Sequence, residues 1–76
     1  MYSKESIQTL QKTTNELIKK VSENNLTHRD TVALQQVLRF HEYRYYILND
    51  PLISDYEYDQ LFKTLQKLEQ ENPELL

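Results

Sequence analysis

Three stretches of 3.6-residue apolar periodicity, separated by two turns of a few residues, leave this chain few ways to fold. In the first, Ile7, Leu10, Leu17, Ile18 and Val21 share one stripe with Thr14 as the only polar intrusion, which predicts an amphipathic helix over residues 4–23. Asn24 and Asn25 end it. Thr27 with Asp30 three residues on makes an N-cap arrangement, and Leu34, Val37, Leu38, His41, Tyr45 and Leu48 continue one face of a second helix over about 28–48. Asp50 precedes Pro51 and is thereby disfavoured in helical conformation, which predicts the stop. Ser54 and Glu57 then form a capping box, and Tyr58, Leu61, Phe62, Leu65 and Leu68 mark the stripe of a third helix over about 55–72, ending at Asn72-Pro73. Both connections are short, so sequential helices are antiparallel neighbours. The expected fold is all-α, a small antiparallel three-helix domain. No strand pattern, internal repeat or low-complexity tract competes.

Seventy-six residues suffice for one domain with a small core, burying only about 60% of the surface that the unfolded chain exposes. A site here is expected to be a shallow patch or a half-site completed by something else. The chain has no Cys, which excludes a disulfide framework and a thiolate zinc site. No apolar run approaches the roughly 20 residues of a bilayer span, and Met1 to Ile7 has neither the basic nor the apolar segment of a secretory signal. A monomeric, cytoplasmic protein with no membrane partner is the expectation. Glycine is also absent, so no Walker loop or dinucleotide fingerprint can be built, nor the Lys-x-Asp-Gly motif that carries the nucleophilic lysine of covalent nucleotidyltransferases. This chain therefore holds no catalytic residue of that kind.

The net charge of −3 is unevenly spread. Met1 to Phe40 carries six basic against four acidic residues, and His41 to Leu76 three against eight, so the second half stands at −5. Such a surface suits a cationic or hydroxyl-rich ligand better than duplex DNA, whose phosphates it repels.

Five of the six tyrosines, Tyr43, Tyr45, Tyr46, Tyr56 and Tyr58, fall within sixteen residues around the second turn. The helical hairpin brings Tyr45 and Tyr46 beside the start of helix three, where Asp55, Tyr58 and Asp59 share one face. His41 lies one turn before Tyr45. Aromatic rings beside carboxylates suit a flat cationic ring, and carboxylates accept hydrogen bonds from ribose hydroxyls. Nicotinamide mononucleotide offers both groups, with a phosphate for Arg44, although a quaternary amine or a methylated lysine fits the same residue types. Each residue also has a quieter explanation. Asp55 can serve the helix dipole, Tyr58 and Tyr45 can extend the core stripes, Asp59 can pair with Lys63 at i+4, and His41 can be a packed histidine. Two carboxylates without further oxygen ligands make a poor Mg²⁺ site, so no metal is expected.

The segments His41-Glu42-Tyr43-Arg44-Tyr45-Tyr46, Asn49-Asp50-Pro51, Ile53-Ser54-Asp55-Tyr56-Glu57-Tyr58-Asp59, Leu68-Glu69 and Asn72-Pro73-Glu74-Leu75 follow one another in this order. Together they resemble the pattern HxYxYY, D-x-P, I-x-D-x-E-Y-D, L-E and HPEL of the N-terminal (Ia) domain of bacterial NAD-dependent DNA ligases. The resemblance spans roughly Val32 to Leu76. It implies that residues 27–76 form a hairpin binding the nicotinamide mononucleotide half of NAD, with Tyr45, Tyr46, Asp55, Tyr58 and Asp59 as contacts and His41 and Tyr43 as secondary ones. It also implies an adjacent nucleotidyltransferase domain that takes AMP onto its own lysine with Mg²⁺, which is not held by this domain, and that reaches nicked DNA through other domains.

Three positions depart from the pattern: Tyr46 stands where some relatives carry His, Asn49 where many carry Asp, and Ser54 where many carry Pro. An aromatic and a helix start are kept all the same. Residues 1–26 read as an extension helix with a structural role. The chain ends just past the HPEL-like segment, where the family's linker begins, so a fragment of a longer, multidomain enzyme is expected. The reading from a different class is a non-enzymatic three-helix module whose tyrosine cluster docks a partner helix or peptide, with Asp55 and Asp59 on its rim.

Overall fold

The computed structural model describes residues 2–71; the HPEL-like segment, and with it the expected helix end at Asn72-Pro73, lies outside the described residues. Its elements are α1 (Lys4–Ser22), a 3₁₀ turn (His28–Asp30), α2 (Thr31–Glu42), a π-helical turn (Tyr43–Ile47) and α3 (Asp55–Glu71). Cross-contacts give the directions. Tyr2, at the start of α1, meets Phe40 near the end of α2 with ring centroids 5.0 Å apart, and Lys20 at the other end of α1 pairs with Asp30 at 2.9 Å. The Tyr58 hydroxyl at the start of α3 reaches Glu42 at the end of α2, while Gln35 reaches Glu69 at the opposite ends. Both neighbouring pairs are therefore antiparallel, as the short connections predict.

Ser3 caps α1 by accepting from the Ser6 N–H at 3.1 Å. At the other end the chain must enter the left-handed region that glycine usually occupies, and in a chain without glycine Asn24 does so, at φ 56°. The Asn24 N–H reaches the Val21 carbonyl at 3.1 Å and the Asn25 N–H the Lys20 carbonyl at 2.8 Å, the paired bonds of a Schellman ending. Asn49 repeats the device after α2, with φ 53°. The stop expected from Asp50-Pro51 thus comes one residue earlier, and the Asp50 N–H closes onto the Arg44 carbonyl at 2.9 Å. Arg44 ties the same corner from its side chain, donating to the Asp50 carbonyl at 3.0 Å and its carboxylate at 2.6 Å.

Leu17, Leu34, Val37, Leu38, Leu61 and Leu68 form the buried core, with Leu10, Ile18, Val21, Ile53, Tyr58 and Leu65 partly buried around it. Because α1 and α3 both pack on α2, the buried arc of α2 is wider than one stripe. Phe40, absent from the predicted stripe, is fully buried for this reason. The predicted stripe also overreaches: Tyr45, Leu48 and Phe62 are exposed. The Leu48 N–H bonds to the Tyr43 carbonyl five residues back, and that widened π turn carries Tyr45 and Leu48 off the core face. Thr14, the polar intrusion in α1, is buried with its hydroxyl donating to the Leu10 carbonyl at 2.7 Å. Leu17 of α1 shares the core with Leu34 and Leu61, so residues 4–22 and the hairpin are one folded unit.

Candidate functional site

The end of α2, the π turn and the first turns of α3 enclose a half-open cavity of about 410 Å³. Of the seven residues singled out in the sequence, His41, Tyr45, Tyr46, Asp55, Tyr58 and Asp59 line it. Tyr43 does not; its ring packs against Tyr2 at 5.5 Å, on the α1 side. Arg44 also does not line the cavity, being committed to Asp50.

Local structure explains the convergence. Ser54 accepts from the Glu57 N–H at 3.1 Å while Glu57 accepts from the Ser54 N–H at 2.9 Å, a reciprocal capping box that fixes where α3 begins. Asp55 is consequently the first residue of α3, and Tyr58 and Asp59 follow one turn later on the same side. Across the cavity the π turn presents Tyr45 and Tyr46, their rings edge-to-face at 4.9 Å. π turns inside helices recur at functional sites because the extra residue re-aims side chains. Four lining residues escaped the sequence reading: Glu42, Pro51, Ile53 and Ser54. The pattern around Ser54 marks a helix start rather than a site. Glu42 gave no periodic signal, since it stands beside the core stripe and its partner is sixteen residues away.

Tyr58 is held at two points. Its ring stacks on Phe62, centroids 6.2 Å apart and planes 15° apart, and its hydroxyl donates to Glu42 Oε1 at 2.8 Å. Burial and the Glu42 carboxylate push that hydroxyl well above the usual tyrosine range, so it remains a neutral donor at every physiological pH. Asp59 shares its charge with Lys63 at 3.0 Å, as the i+4 spacing predicts. Neither pairing removes the residue from the cavity wall.

His41 is 3% exposed and forms the floor. Its Nε2 lies 2.9 Å from the Thr14 hydroxyl oxygen. Because the Thr14 proton is already given to the Leu10 carbonyl, that oxygen acts as acceptor and Nε2 carries the hydrogen. Burial is the main reason its pKa falls from 6.5 to about 4; the Arg44 cation adds to the fall and Glu57 opposes it. The folded state therefore disfavours the proton that the unfolded chain takes up below pH 6.5. Stability contributed by neutral His41 is complete above that pH, declines as pH falls from 6.5 towards 4, and amounts to at most about 3 kcal/mol. Urea unfolding followed from pH 7 to 4 should show this decline, and His41→Gln should flatten it. An equal decline in both chains would remove His41 as its cause.

Electrostatically the wall is one-sided. Glu42, Asp55 and Asp59 contribute carboxylates, and no Lys or Arg among the described residues lines the cavity. Among those residues no group of three or more His, Cys, Asp or Glu is arranged to hold a metal ion, and no helix is long and apolar enough to cross a membrane. The arrangement offers ring faces and edges for a flat group, with acceptors for hydroxyl donors or a positive charge.

Comparison with known proteins adds an independent line. The profile of a family described as "DNA ligase-like, N-terminal NAD+-binding domain" matches residues 24–76. A protein named DNA ligase from Sulfurihydrogenibium sp. (strain YO3AOP1) is 44% identical over the whole chain, which covers 11% of that relative. One of the same name from Aquifex aeolicus is 35% identical, again over the whole chain and 11% of the relative. A third, from Mycoplasma pneumoniae, is 57% identical over 58% of the chain and 7% of its own length. The chain thus spans about a tenth of the length of these relatives. No solved structure matches it.

Proposed function

The chain belongs to the family of NAD+-binding N-terminal domains of DNA ligases, and on that premise we propose that it grips the nicotinamide mononucleotide half of NAD and orients it for adenylyl transfer to a lysine of a following domain. One observation carries this reading: Tyr45, Tyr46, Asp55, Tyr58 and Asp59 line a single cavity of about 410 Å³, within the roughly 300–1,000 Å³ range of small-molecule sites. The residue types fit the ligand. Tyr45 and Tyr58 supply aromatic surface for the pyridinium ring, while Asp55 and Asp59 accept from ribose hydroxyls and offset the ring charge.

NAD supplies the adenylyl group, together with a mononucleotide leaving group that this chain holds during the transfer and then releases. The contribution of the chain is alignment: a mononucleotide held against the cavity wall fixes the pyrophosphate for in-line attack, which is an entropic and orientational effect rather than acid–base chemistry. Among the described residues no Lys or Arg lines the cavity, and Arg44 is held by Asp50, so the phosphate is left to groups outside these residues. The lysine nucleophile is likewise supplied elsewhere, and so are contacts to nicked DNA and to the Mg²⁺ of the complete enzyme. Adenylylation then precedes transfer of AMP to the nick and sealing.

Equilibrium titration tests the division of NAD into two halves. The chain should bind nicotinamide mononucleotide saturably and ignore AMP. Preference for AMP would reverse the assignment.

A further inference from the structure

Glu42 ends α2. Arg39 stands at i−3 on the same helix, but the hydrogen bond that the Glu42 carboxylate accepts comes from the Tyr58 hydroxyl of α3, at 2.8 Å. This link crosses the cavity wall, which both residues line. With the ring stacked on Phe62 and the hydroxyl bound to Glu42, Tyr58 is held at two points in the unliganded chain. Preorganisation of this kind strengthens binding by removing ordering that the ligand must otherwise impose.

The charge of Glu42 has a second consequence. Asp59 is neutralised in part by Lys63, and the Arg44 guanidinium is engaged by Asp50. Glu42 is hydrogen-bonded, but among the described residues it has no ion-pair partner. A carboxylate on an aromatic-lined wall attracts a ring that carries positive charge and is indifferent to one that does not.

Resting on the ligand proposed above, we infer that Glu42 is a positioning and specificity residue of this site, holding Tyr58 against the cavity and favouring the cationic, oxidised nicotinamide ring over the neutral, reduced one. Glu42→Gln keeps an amide oxygen for the Tyr58 hydroxyl and removes the charge. Glu42→Ala removes both. Because Glu42 is exposed, neither change touches the core.

The test is NMR titration of the chain with nicotinamide mononucleotide and with its reduced form, alongside a pH titration of the tyrosine hydroxyls. Glu42→Gln should weaken the oxidised ligand about three- to tenfold, leave the reduced one unchanged, and lower the pH at which Tyr58 ionises. Glu42→Ala should weaken both ligands and shift the Tyr58 ring signals in the free chain. An unchanged ratio of the two affinities in Glu42→Gln overturns the specificity role. Undiminished binding of both ligands by Glu42→Ala overturns the positioning role. Should the unaltered chain bind neither form, the proposed ligand itself is wrong and this inference falls with it.

Discussion

In the complete ligase, Asp59→Ala should lower the rate of self-adenylylation from NAD by roughly 10- to 100-fold or more while leaving sealing of a pre-adenylylated nick within about twofold. The first figure follows from deleting a hydrogen bond to a charged group, worth about 1.5–3 kcal/mol, at a site whose role is alignment. The second follows because, in the proposed reaction order, only the first step uses the mononucleotide. Folding should barely change. Asp59 lies in the second turn of α3 with its side chain 51% exposed, and its pair with Lys63 is a surface i,i+4 bridge worth about 0.5 kcal/mol or less. Single-turnover assays of the two half-reactions, with a melting curve of the variant, check this together. Equal impairment of both steps, or loss of the fold, would make Asp59 structural and return weight to a tyrosine-rich docking module.

Leu61→Ala should do the opposite, destroying the fold and the site along with it. Leu61 is fully buried in the cluster with Leu17, Leu34, Val37, Leu38 and Leu68, so it touches the contributions of all three helices. Truncating a fully buried leucine costs about 2–5 kcal/mol, from lost transfer energy and the cavity left behind. A domain of this size has roughly 5 kcal/mol to lose. Circular dichroism at 25 °C should therefore show a chain that is largely unfolded or melts tens of degrees lower. A change below about 1 kcal/mol would mean that the three helices do not share this core. The two substitutions lie two positions apart on one helix, and their contrast separates ligand recognition from packing.

The helices and their order were legible in the sequence because apolar spacing, Ser54 with Glu57, and the short turns act locally. The ends of α1 and α2 were legible as places, but the mechanism was read only in part: Asn24 and Asn49 adopt left-handed backbone in place of glycine, and no residue pattern distinguishes an asparagine that does so from one in an ordinary loop. The π turn was not legible. Its extra residue breaks the 3.6-residue period within the element, and it moves Tyr45 and Leu48 out of the core stripe on which straight helical periodicity places them.

The candidate site was legible where its residues share a helix face, as Asp55, Tyr58 and Asp59 do. Tyr43 illustrates the limit: membership of a tyrosine-rich segment says nothing about which side of the helix a ring takes, and this one turns to α1. Glu42 illustrates the converse. Its importance rests on a contact between helices, which single-helix patterns do not encode. The first helix packs into the core through Leu17, and through Thr14 it also meets His41 at the cavity floor.

The measurement that bears most directly on the central claim is a two-dimensional amide NMR titration of this chain with nicotinamide mononucleotide. Saturable shifts concentrated at Tyr45, Tyr46, Asp55, Tyr58 and Asp59, with residues on the outer face of α1 unmoved, are the predicted result. An unchanged spectrum at saturating ligand, or shifts centred on α1 rather than on the α2–α3 turn, would contradict it.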